Sequence, residues 1–312
     1  MNDLILALDF GGTKLSAAVI DRDALRSERP RWPALRRRFT PDDADATHEL
    51  ATMIALAREL LVGRPPAAVG VSFGGPVDYP RGLVRLSHHV RGWEDMPLRD
   101  MLAREFGCPA TVDNDANVAA LGEQRFGAGR GIADLMYVTV STGVGGGWVL
   151  GGRPWRGHDG MAGEIGHTVV DPNGPLCLCG KRGCVERLAS GPYMAADYEK
   201  EVGRRGEGEK GSGEMTGRDV AEAAAAGDPV AKEILLRGAW ALGVGLGNAA
   251  NLVNPRRFIL GGGVTKAGDA WWAEVRRAAR ETALPEVLFD IVPAALGDDA
   301  PLWGAIALTE EA

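Results

Sequence analysis

Two segments of this chain repeat one pattern: a short apolar run, a turn rich in glycine and a second apolar run. In the first copy, residues 4–8 (LILAL) and 15–20 (LSAAVI) flank the turn at residues 9–14 (DFGGTK). In the second copy, residues 135–140 (LMYVTV) precede the turn at residues 141–147 (STGVGGG), and WVL follows. Short apolar runs on either side of a glycine turn predict paired strands. The repeat indicates an internal duplication, with one copy in each of two α/β domains.

Helical and strand patterns alternate through much of the chain. Apolar residues recur with the helical period of 3.6 in residues 48–61, 97–106 and 117–126, and the short apolar runs at residues 68–71 and 110–112 predict buried strands. Strands that alternate with helices favour mostly parallel sheets covered by helices, which is the α/β class. A length of 312 residues also favours two domains over one.

Charge and hydropathy argue against two broad classes of protein. The net charge is −7, whereas a general nucleic-acid surface needs a basic field. No apolar run reaches the roughly 18 residues of a membrane span, and the first residues, MNDL, lack the basic region of a secretory signal. The chain has four cysteines, mostly crowded into one motif, which fits a reducing cytoplasm. The low-complexity residues 199–218 are predicted to form a surface segment, to which we assign no chemistry.

A cysteine-rich segment, residues 177–186 (CLCGKRGCVE), is called the knuckle below. Together with His167, its cysteines Cys177, Cys179 and Cys184 offer four ligands within 18 residues. Structural zinc sites use this set of three cysteines and one histidine. The alternatives are a disulfide and chance clustering. The single residue between Cys177 and Cys179 is awkward for a disulfide, and the two glycines indicate a tight turn, so the pattern favours Zn²⁺.

The glycine turns also indicate where a nucleotide binds. Glycine lets backbone N–H groups approach phosphate oxygens, and a third turn lies at residues 261–263 (GGG). One such turn is weak support, because hairpins need glycine for their own geometry, but three together favour a nucleotide site. Thr13 and Thr142 are candidate phosphate donors, and Lys14 is a candidate positive charge. Asp9 is a candidate to hold Mg²⁺ through water, the alternative being an ordinary turn residue.

Polar residues crowd the end of the strand predicted at residues 110–112. Residues 113–117 read DNDAN, and one Asp or Asn would be enough to cap the helix that follows. The additional polar groups favour a polar ligand, with a carboxylate near enough to accept a hydroxyl proton. Glu164, His167 and Glu186 add acceptors near the knuckle, and convergent carboxylates suit a ligand with several hydroxyls.

With these motifs together, the chain resembles the ROK family of bacterial sugar kinases and sugar-responsive repressors. The motifs follow the family's order and extend over nearly the whole chain. They are residues 9–14 (DFGGTK), 75–78 (GPVD), 113–117 (DNDAN), 141–147 (STGVGGG), 163–167 (GEIGH) and the knuckle.

The resemblance implies a two-domain actin-like ATPase (ribonuclease H-like) fold of the α/β class, with a cleft between the domains. The smaller domain would comprise residues 1–114 plus 299–312, and the larger domain, residues 115–298, would carry the knuckle. The resemblance also implies transfer of a phosphoryl group from Mg·ATP to a sugar hydroxyl, a structural Zn²⁺, and a homodimer or homotetramer.

Site residues follow from the same resemblance. Asp115 matches the family's catalytic base, and the zinc, held by His167, Cys177, Cys179 and Cys184, would fix the loop that carries Glu186. The implied sugar-binding residues are Gly75, His88, Asn114, Asp115, Glu164, His167 and Glu186. The implied ATP-binding residues are Asp9, Gly11, Gly12, Thr13, Lys14, Thr142, Gly143, Val144, Gly145, Gly146 and Gly262.

One departure bears on the sugar. Family glucokinases commonly have Gly-x-Pro-Gly before Pro-Val-Asp and a Pro-Asn pair before the tryptophan, whereas residues 71–76 read VSFGGP and residues 86–90 read LSHHV. The Ser-x-Gly-Gly form is similar to N-acetylmannosamine kinases of the family. His88 would replace the missing Asn, although a histidine alone is more often structural or exposed. We therefore expect a hexose kinase, with glucose narrowly favoured over an N-acetylhexosamine.

Two non-enzymatic classes compete with a kinase. A ROK repressor places a helix-turn-helix domain before the first glycine turn, where this chain has only eight residues ahead of Asp9. A sugar-binding protein without catalysis would not need Asp115 and three complete glycine turns. The sequence therefore favours the enzyme.

Overall fold

The computed structural model describes residues 3–26, 31–87, 89–205 and 215–311. The predicted sugar contact His88 and residues 206–214 of the low-complexity segment lie outside this described part. Among the described residues, no helix combines the length and apolar character needed to cross a membrane.

Strands and helices alternate along the chain, as the sequence predicts for the α/β class. The strands are β1 Leu4–Phe10, β2 Lys14–Asp21, β3 Ala34–Phe39, β4 Ala68–Phe73, β5 Val77–Asp78, β6 Leu83–Val84, β7 Ala110–Asn114, β8 Leu135–Val140, β9 Val144–Leu150, β10 Arg153–Trp155, β11 Arg257–Gly261 and β12 Asp290–Pro293. The helices are α1 Ala46–Leu61, α2 Leu98–Phe106, α3 Asp115–Phe126, α4 Val185–Ala189, α5 Gly191–Arg205, α6 Gly217–Ala225, α7 Pro229–Val253, α8 Asp269–Thr282 and α9 Ala300–Leu308.

The first sheet has the strand order β3-β2-β1-β4-β7. β2 pairs antiparallel with β1 and β3, whereas β1, β4 and β7 run parallel. All seven residues of β1 are buried, as expected for a strand covered on both faces. Leu6 and Leu8 belong to a core with α1 and α2, and Ile5 and Ala7 belong to a second core with α3 and α9. This alternation follows from the two-residue period of a strand.

The second sheet has the order β10-β9-β8-β11-β12, in which β8, β11 and β12 are parallel. α7 packs against α8 at unusually small residues. A Cβ on Gly243 would lie 2.5 Å from the carbonyl oxygen of Val275, and one on Gly247 would lie 2.8 Å from that of Ala279. The glycines of α7 therefore allow a backbone approach that any larger residue would prevent.

The chain divides into two compact units. The first comprises Met1–Ala133, Gly147–Ala162 and Ala295–Ala312, and the second comprises Asp134–Gly146 and Gly163–Ala294. α3 belongs to the first unit because it packs closely on α9, where a Cβ on Gly304 would lie 1.8 Å from the carbonyl oxygen of Val118. The domain boundaries derived from the family resemblance, 114/115 and 298/299, stay a prediction.

Candidate functional site

The turn between β1 and β2 has glycine at both of its central positions. The N–H of Gly11 donates to the carbonyl oxygen of Lys14 over 3.2 Å, and a Cβ on Gly11 would lie 2.9 Å from that oxygen. A Cβ on Gly12 would lie 2.6 Å from Cδ2 of His89. The imidazole of His89 therefore lies against the turn, a placement that sequence analysis did not anticipate.

Asp9 lies near the carboxyl end of β1 and is 7% exposed. Its Oδ1 accepts a 2.9 Å hydrogen bond from the hydroxyl of Ser72, its direct neighbour in the register of β1 with β4. Burial raises the pKa of Asp9 to about 7, although the Ser72 hydroxyl opposes the shift. The charge of Asp115 also raises this pKa, whereas Lys14 lowers it. Asp9 is thus a carboxyl whose ionisation depends on its neighbours.

Asn114 and Asp115 form the junction between β7 and α3. Asn114 caps the helix, because its Oδ1 accepts the N–H groups of Ala116 and Asn117. Its Nδ2 donates to Oδ1 of Asp115 over 3.0 Å and to the carbonyl oxygen of Gly75 over 3.1 Å. Asp115 occupies the first turn of α3, where the helix dipole stabilises a negative charge. The carboxylate is therefore oriented and electrostatically supported.

Two further residues in this region were missed by sequence analysis. Asp113 is 2% exposed and forms a 2.7 Å ion pair with Arg156. Sequence analysis treated Asp113 as one of several equivalent polar groups and gave Arg156 no role. Neither the burial of Asp113 nor its pairing across 43 residues carries a local sequence signal.

The second glycine turn lies between β8 and β9. The N–H of Ser141 donates to the carbonyl oxygen of Gly143 over 2.9 Å, and the N–H of Val144 donates to Oε2 of Glu186 over 3.0 Å. Gly262 has a φ of 91°, and a Cβ there would lie 2.3 Å from the carbonyl oxygen of Val140. Both glycine turns of the second unit therefore rely on glycine for close backbone approach.

A cavity of about 420 Å³ opens beside these turns within the second unit. Ser141 and Thr142 line it, as does Gly263, together with residues from the ends of α5 and α6. Arg218 and Lys266 also line it and supply positive charge. The described residues 215–218 thus lie at a cavity, whereas sequence analysis assigned no chemistry to the segment that contains 215–218.

The acidic residues near the knuckle are held by short elements. Glu164 is exposed and directly precedes a short 3₁₀ helix, Ile165–His167. Glu186 is half-buried in α4, the helix that begins directly after the knuckle's last cysteine. A Cβ on Gly143 would lie 2.9 Å from Oε2 of Glu186. Glu186 therefore joins the region of the knuckle to the glycine turn.

The ligand atoms of His167, Cys177, Cys179 and Cys184 all lie within 4.8 Å of one another. The cysteines are free, and Sγ of Cys179 lies 3.5 Å from Sγ of Cys184. Zn–S bonds of about 2.3 Å would place two thiolates of a tetrahedron about 3.8 Å apart. Nδ1 of His167 is buried and has no hydrogen-bond partner among the described residues. The donor set and its spacing fit Zn²⁺, and the disulfide alternative is not formed.

The thiols of the knuckle differ in acidity. Burial raises the pKa of Cys184 to about 12, whereas a hydrogen bond from the backbone of Lys181 lowers the pKa of Cys179. Neighbouring cysteines also disfavour ionisation of Cys184. A divalent cation reverses this effect, because coordination requires and stabilises thiolates.

Comparison with known proteins gives one consistent result. The model of the ROK family matches residues 5–312. The glucokinase of Halalkalibacterium halodurans is 35% identical over 96% of this chain and 92% of that protein, and the N-acetylmannosamine kinase of Shigella boydii serotype 18 is 34% identical over 98% of each. The crystal structure of a ROK family glucokinase from Streptomyces griseus, in complex with glucose and AMPPNP, superimposes with a TM-score of 0.82 at 33% identity, covering 99% of this chain and 100% of that one.

Proposed function

The protein belongs to the ROK family, and on that premise we propose that it is an ATP-dependent sugar kinase that phosphorylates a hydroxyl of a hexose. Its α/β fold is the actin-like ATPase fold of the solved ROK kinases, so that prediction is confirmed. The observation that carries the proposal is the orientation of Asp115, which sits at the start of α3 and accepts a hydrogen bond from Asn114. A carboxylate held in this way is a suitable base for a substrate hydroxyl.

The reaction proceeds by proton removal and in-line displacement. Asp115 accepts the proton of the sugar hydroxyl as its oxygen attacks the γ-phosphorus, and the bond to the β-phosphate oxygen breaks to release ADP. Phosphoryl transfer depends chiefly on positioning and on charge stabilisation. Asn114 provides the positioning, because its amide holds the Asp115 carboxylate while its carbonyl oxygen caps the helix.

We assign the nucleotide to the glycine turns. The proposed contacts are Asp9, Gly11, Gly12, Thr13, Lys14, Thr142, Gly143, Val144, Gly145, Gly146 and Gly262. The cavity of about 420 Å³ beside Thr142 has room for the base and ribose. Mg²⁺ bound to ATP supplies charge neutralisation at the phosphates, and Asp9 would hold it through water.

We assign a structural Zn²⁺ to His167, Cys177, Cys179 and Cys184. The support is the buried, unpartnered Nδ1 of His167 together with the three clustered thiols. The zinc would fix the orientation of His167 and the start of α4, which carries Glu186. It would take no part in phosphoryl transfer itself.

The proposed sugar contacts are Gly75, His88, Asn114, Asp115, Glu164, His167 and Glu186, and glucose is the favoured sugar. The H. halodurans and S. griseus relatives, both glucokinases, support glucose. The alternative is an N-acetylhexosamine, supported by the S. boydii kinase. The Ser72 hydroxyl of the Ser-x-Gly-Gly segment is buried and donates to Asp9, so this serine is not among the proposed sugar contacts.

A substrate panel tests the proposal. ADP release is measured with Mg·ATP and zinc-replete protein against glucose, N-acetylglucosamine, N-acetylmannosamine, mannose and fructose. Preferred turnover of glucose supports the favoured reading, and preferred turnover of an acetylated sugar supports the alternative. Sugar binding without ADP release on the whole panel would identify a sugar-binding protein and overturn the kinase proposal.

The proposal also covers the oligomeric state and the cellular location of the protein. We expect a homodimer or homotetramer, which light scattering coupled to size-exclusion chromatography distinguishes from a monomer. A cytoplasmic location is supported by the four cysteines, none of which forms a disulfide, since disulfides are rare in a reducing compartment.

A further inference from the structure

Arg156 reaches from the segment after β10 to the end of β7. Its Nε donates to Oδ2 of Asp113 over 2.7 Å, and its guanidinium carbon lies 3.5 Å from the centroid of the Tyr79 ring. The side chain of Arg156 is 18% exposed and that of Asp113 only 2% exposed. Charges taken out of water need a partner in good geometry. Arg156 and Asp113 therefore form an oriented, largely buried ion pair directly before Asn114 and Asp115.

The other carboxylate oxygen of Asp113 accepts hydrogen bonds from the segment that carries the proposed base. Oδ1 of Asp113 accepts the backbone N–H of Asn114 over 2.8 Å and Nδ2 of Asn117 over 3.3 Å. Asn114 in turn donates from its Nδ2 to Oδ1 of Asp115 over 3.0 Å. A continuous series of hydrogen bonds thus runs from Arg156 through Asp113 and Asn114 to the carboxylate of Asp115.

The series requires Asp113 to keep both oxygens as acceptors. Burial raises the pKa of Asp113, and the charge of Arg156 is the largest influence that opposes the shift. The Tyr79 ring holds the guanidinium in one plane by a cation–π contact. Lysine could not reproduce this arrangement, because it lacks the planar guanidinium that stacks on an aromatic ring.

We propose that Arg156 is a positioning residue for phosphoryl transfer: through Asp113 and Asn114 it aims the carboxylate of Asp115 at the sugar hydroxyl. This inference rests on the proposed function, in which Asp115 is the base. Arg156 acts through geometry alone and is not assigned a contact with the sugar or with ATP. Misplacement of a reacting group by about 1 Å can cost about 100-fold in rate, so a small displacement of Asp115 should lower kcat strongly.

Three variants separate positioning from simple charge balance: Arg156→Met, Asp113→Asn and the double variant that carries both. The measurements are kcat and KM at saturating Mg·ATP, and the thermal unfolding midpoint. Arg156→Met is expected to lower kcat about 10- to 100-fold and to lower the midpoint, because Asp113 stays buried without its partner. The double variant is expected to recover the midpoint, since neither buried charge remains, while its kcat stays low. Arg153→Met is the matched control, because Arg153 is an exposed arginine of β10 in the same hairpin.

The outcomes are distinct. If the double variant regains the parent kcat together with the midpoint, Arg156 only balances the charge of Asp113 and the proposal is wrong. An unchanged kcat in Arg156→Met, or an equal loss in Arg153→Met, also overturns it. A parent protein that phosphorylates no sugar overturns the proposed function and this inference with it, whereas an active parent with an equally active Arg156→Met overturns this inference alone.

Discussion

The polar clusters of the two units differ in how their side chains are held. In the first unit, the carboxylates of Asp9 and Asp115 accept hydrogen bonds from Ser72 and Asn114. In the second unit, Nδ1 of His167 is buried and has no partner among the described residues, beside three thiols that form no disulfide. Buried polar groups are nearly always satisfied in folded proteins. The two carboxylates of the first cluster are therefore held by protein groups, whereas the donor set of the second cluster matches the zinc site proposed for it.

The difference follows from what surrounds each cluster. Asp9 and Asp115 lie at the ends of buried strands of a five-stranded sheet, so the core of the unit fixes their backbone. The knuckle is a short segment in which Leu178 is 92% exposed, whereas Cys177, Cys184 and Val185 are buried. A bound metal would add order to such a short segment. The packing of the sheet thus holds the first cluster, whereas we propose that coordination holds the knuckle.

The largest effect is expected when the proposed base of the first cluster is removed without disturbing the structure around it. Asp115→Asn keeps an oxygen that can accept the bond from Asn114, but it removes the base. We expect kcat to fall about 100- to 10,000-fold, with little change in the sugar dissociation constant or in the thermal midpoint. Steady-state kinetics and isothermal titration calorimetry measure these quantities.

The control for that variant is Asp43→Asn, which alters an exposed aspartate in the same unit and should retain the parent kcat. An Asp115→Asn protein with parent kcat would show that another group accepts the proton. A large loss of stability in Asp115→Asn would instead show that the Asp115 carboxylate supports the folded structure as well as the chemistry.

An intermediate effect is expected from removing the metal of the second cluster. Cys184→Ser, or extraction with a chelator, should lower the zinc content from one per chain to near zero. Because Glu186 lies two residues after Cys184 and accepts the N–H of Val144, KM for the sugar should rise about 10- to 100-fold, the range seen when groups that orient a metal site are lost. Metal content by mass spectrometry and KM by ADP release measure the two effects.

Cys108→Ser is the matched control, because Cys108 is the one cysteine outside the knuckle and lies in the first unit. It should keep one zinc per chain and the parent KM. Full zinc content in Cys184→Ser, or an unchanged KM in metal-free protein, contradicts the assignment of the knuckle as a metal-organised segment.

The parts of both clusters that the sequence predicted are local in the chain. The glycine turns, the junction at Asn114–Asp115 and the cysteine spacing each lie within about ten residues, so turn geometry, helix capping and ligand distance are readable directly. The fold class was predictable for the same reason, since alternating strand and helix patterns are local signals.

The parts that could not be predicted depend on sheet register and on long-range packing. Ser72 meets Asp9 only because β1 and β4 pair in one parallel register, and a shift by one residue would turn Ser72 to the other face. Arg156 meets Asp113 across 43 residues. The cavity contact of Arg218 lies in a segment whose composition indicates only a polar surface. Such contacts are set by the assembled unit rather than by any segment of it.

The smallest expected effect is a dependence of stability and activity on pH. It arises in the first cluster, because Asp9 is buried although its carboxylate accepts a hydrogen bond from Ser72. Its pKa in the folded protein is raised to about 7 from an ordinary 3.8, first of all by burial. The folded protein therefore binds a proton at Asp9 that the unfolded chain has lost between about pH 4 and pH 7. The contribution of Asp9 to stability is full below pH 4 and is lost as the pH rises through 7. We expect the thermal midpoint of the parent to decline relative to that of Asp9→Asn across this window. We also expect kcat/KM for ATP to rise about tenfold from pH 6 to pH 8, because Mg²⁺ requires the ionised carboxylate.

Ser72→Ala provides the control for this pH dependence. The Ser72 hydroxyl lowers the pKa of Asp9, so its removal should move the rise in kcat/KM to higher pH. It should also enlarge the stability change, because that change grows with the difference between the folded and unfolded pKa values. Asp9→Asn should lack the stability change altogether.

If the stability difference between parent and Asp9→Asn is flat from pH 4 to pH 8, Asp9 does not titrate in this window. If instead Ser72→Ala moves the change to lower pH, the hydroxyl does not support the ionised carboxylate of Asp9.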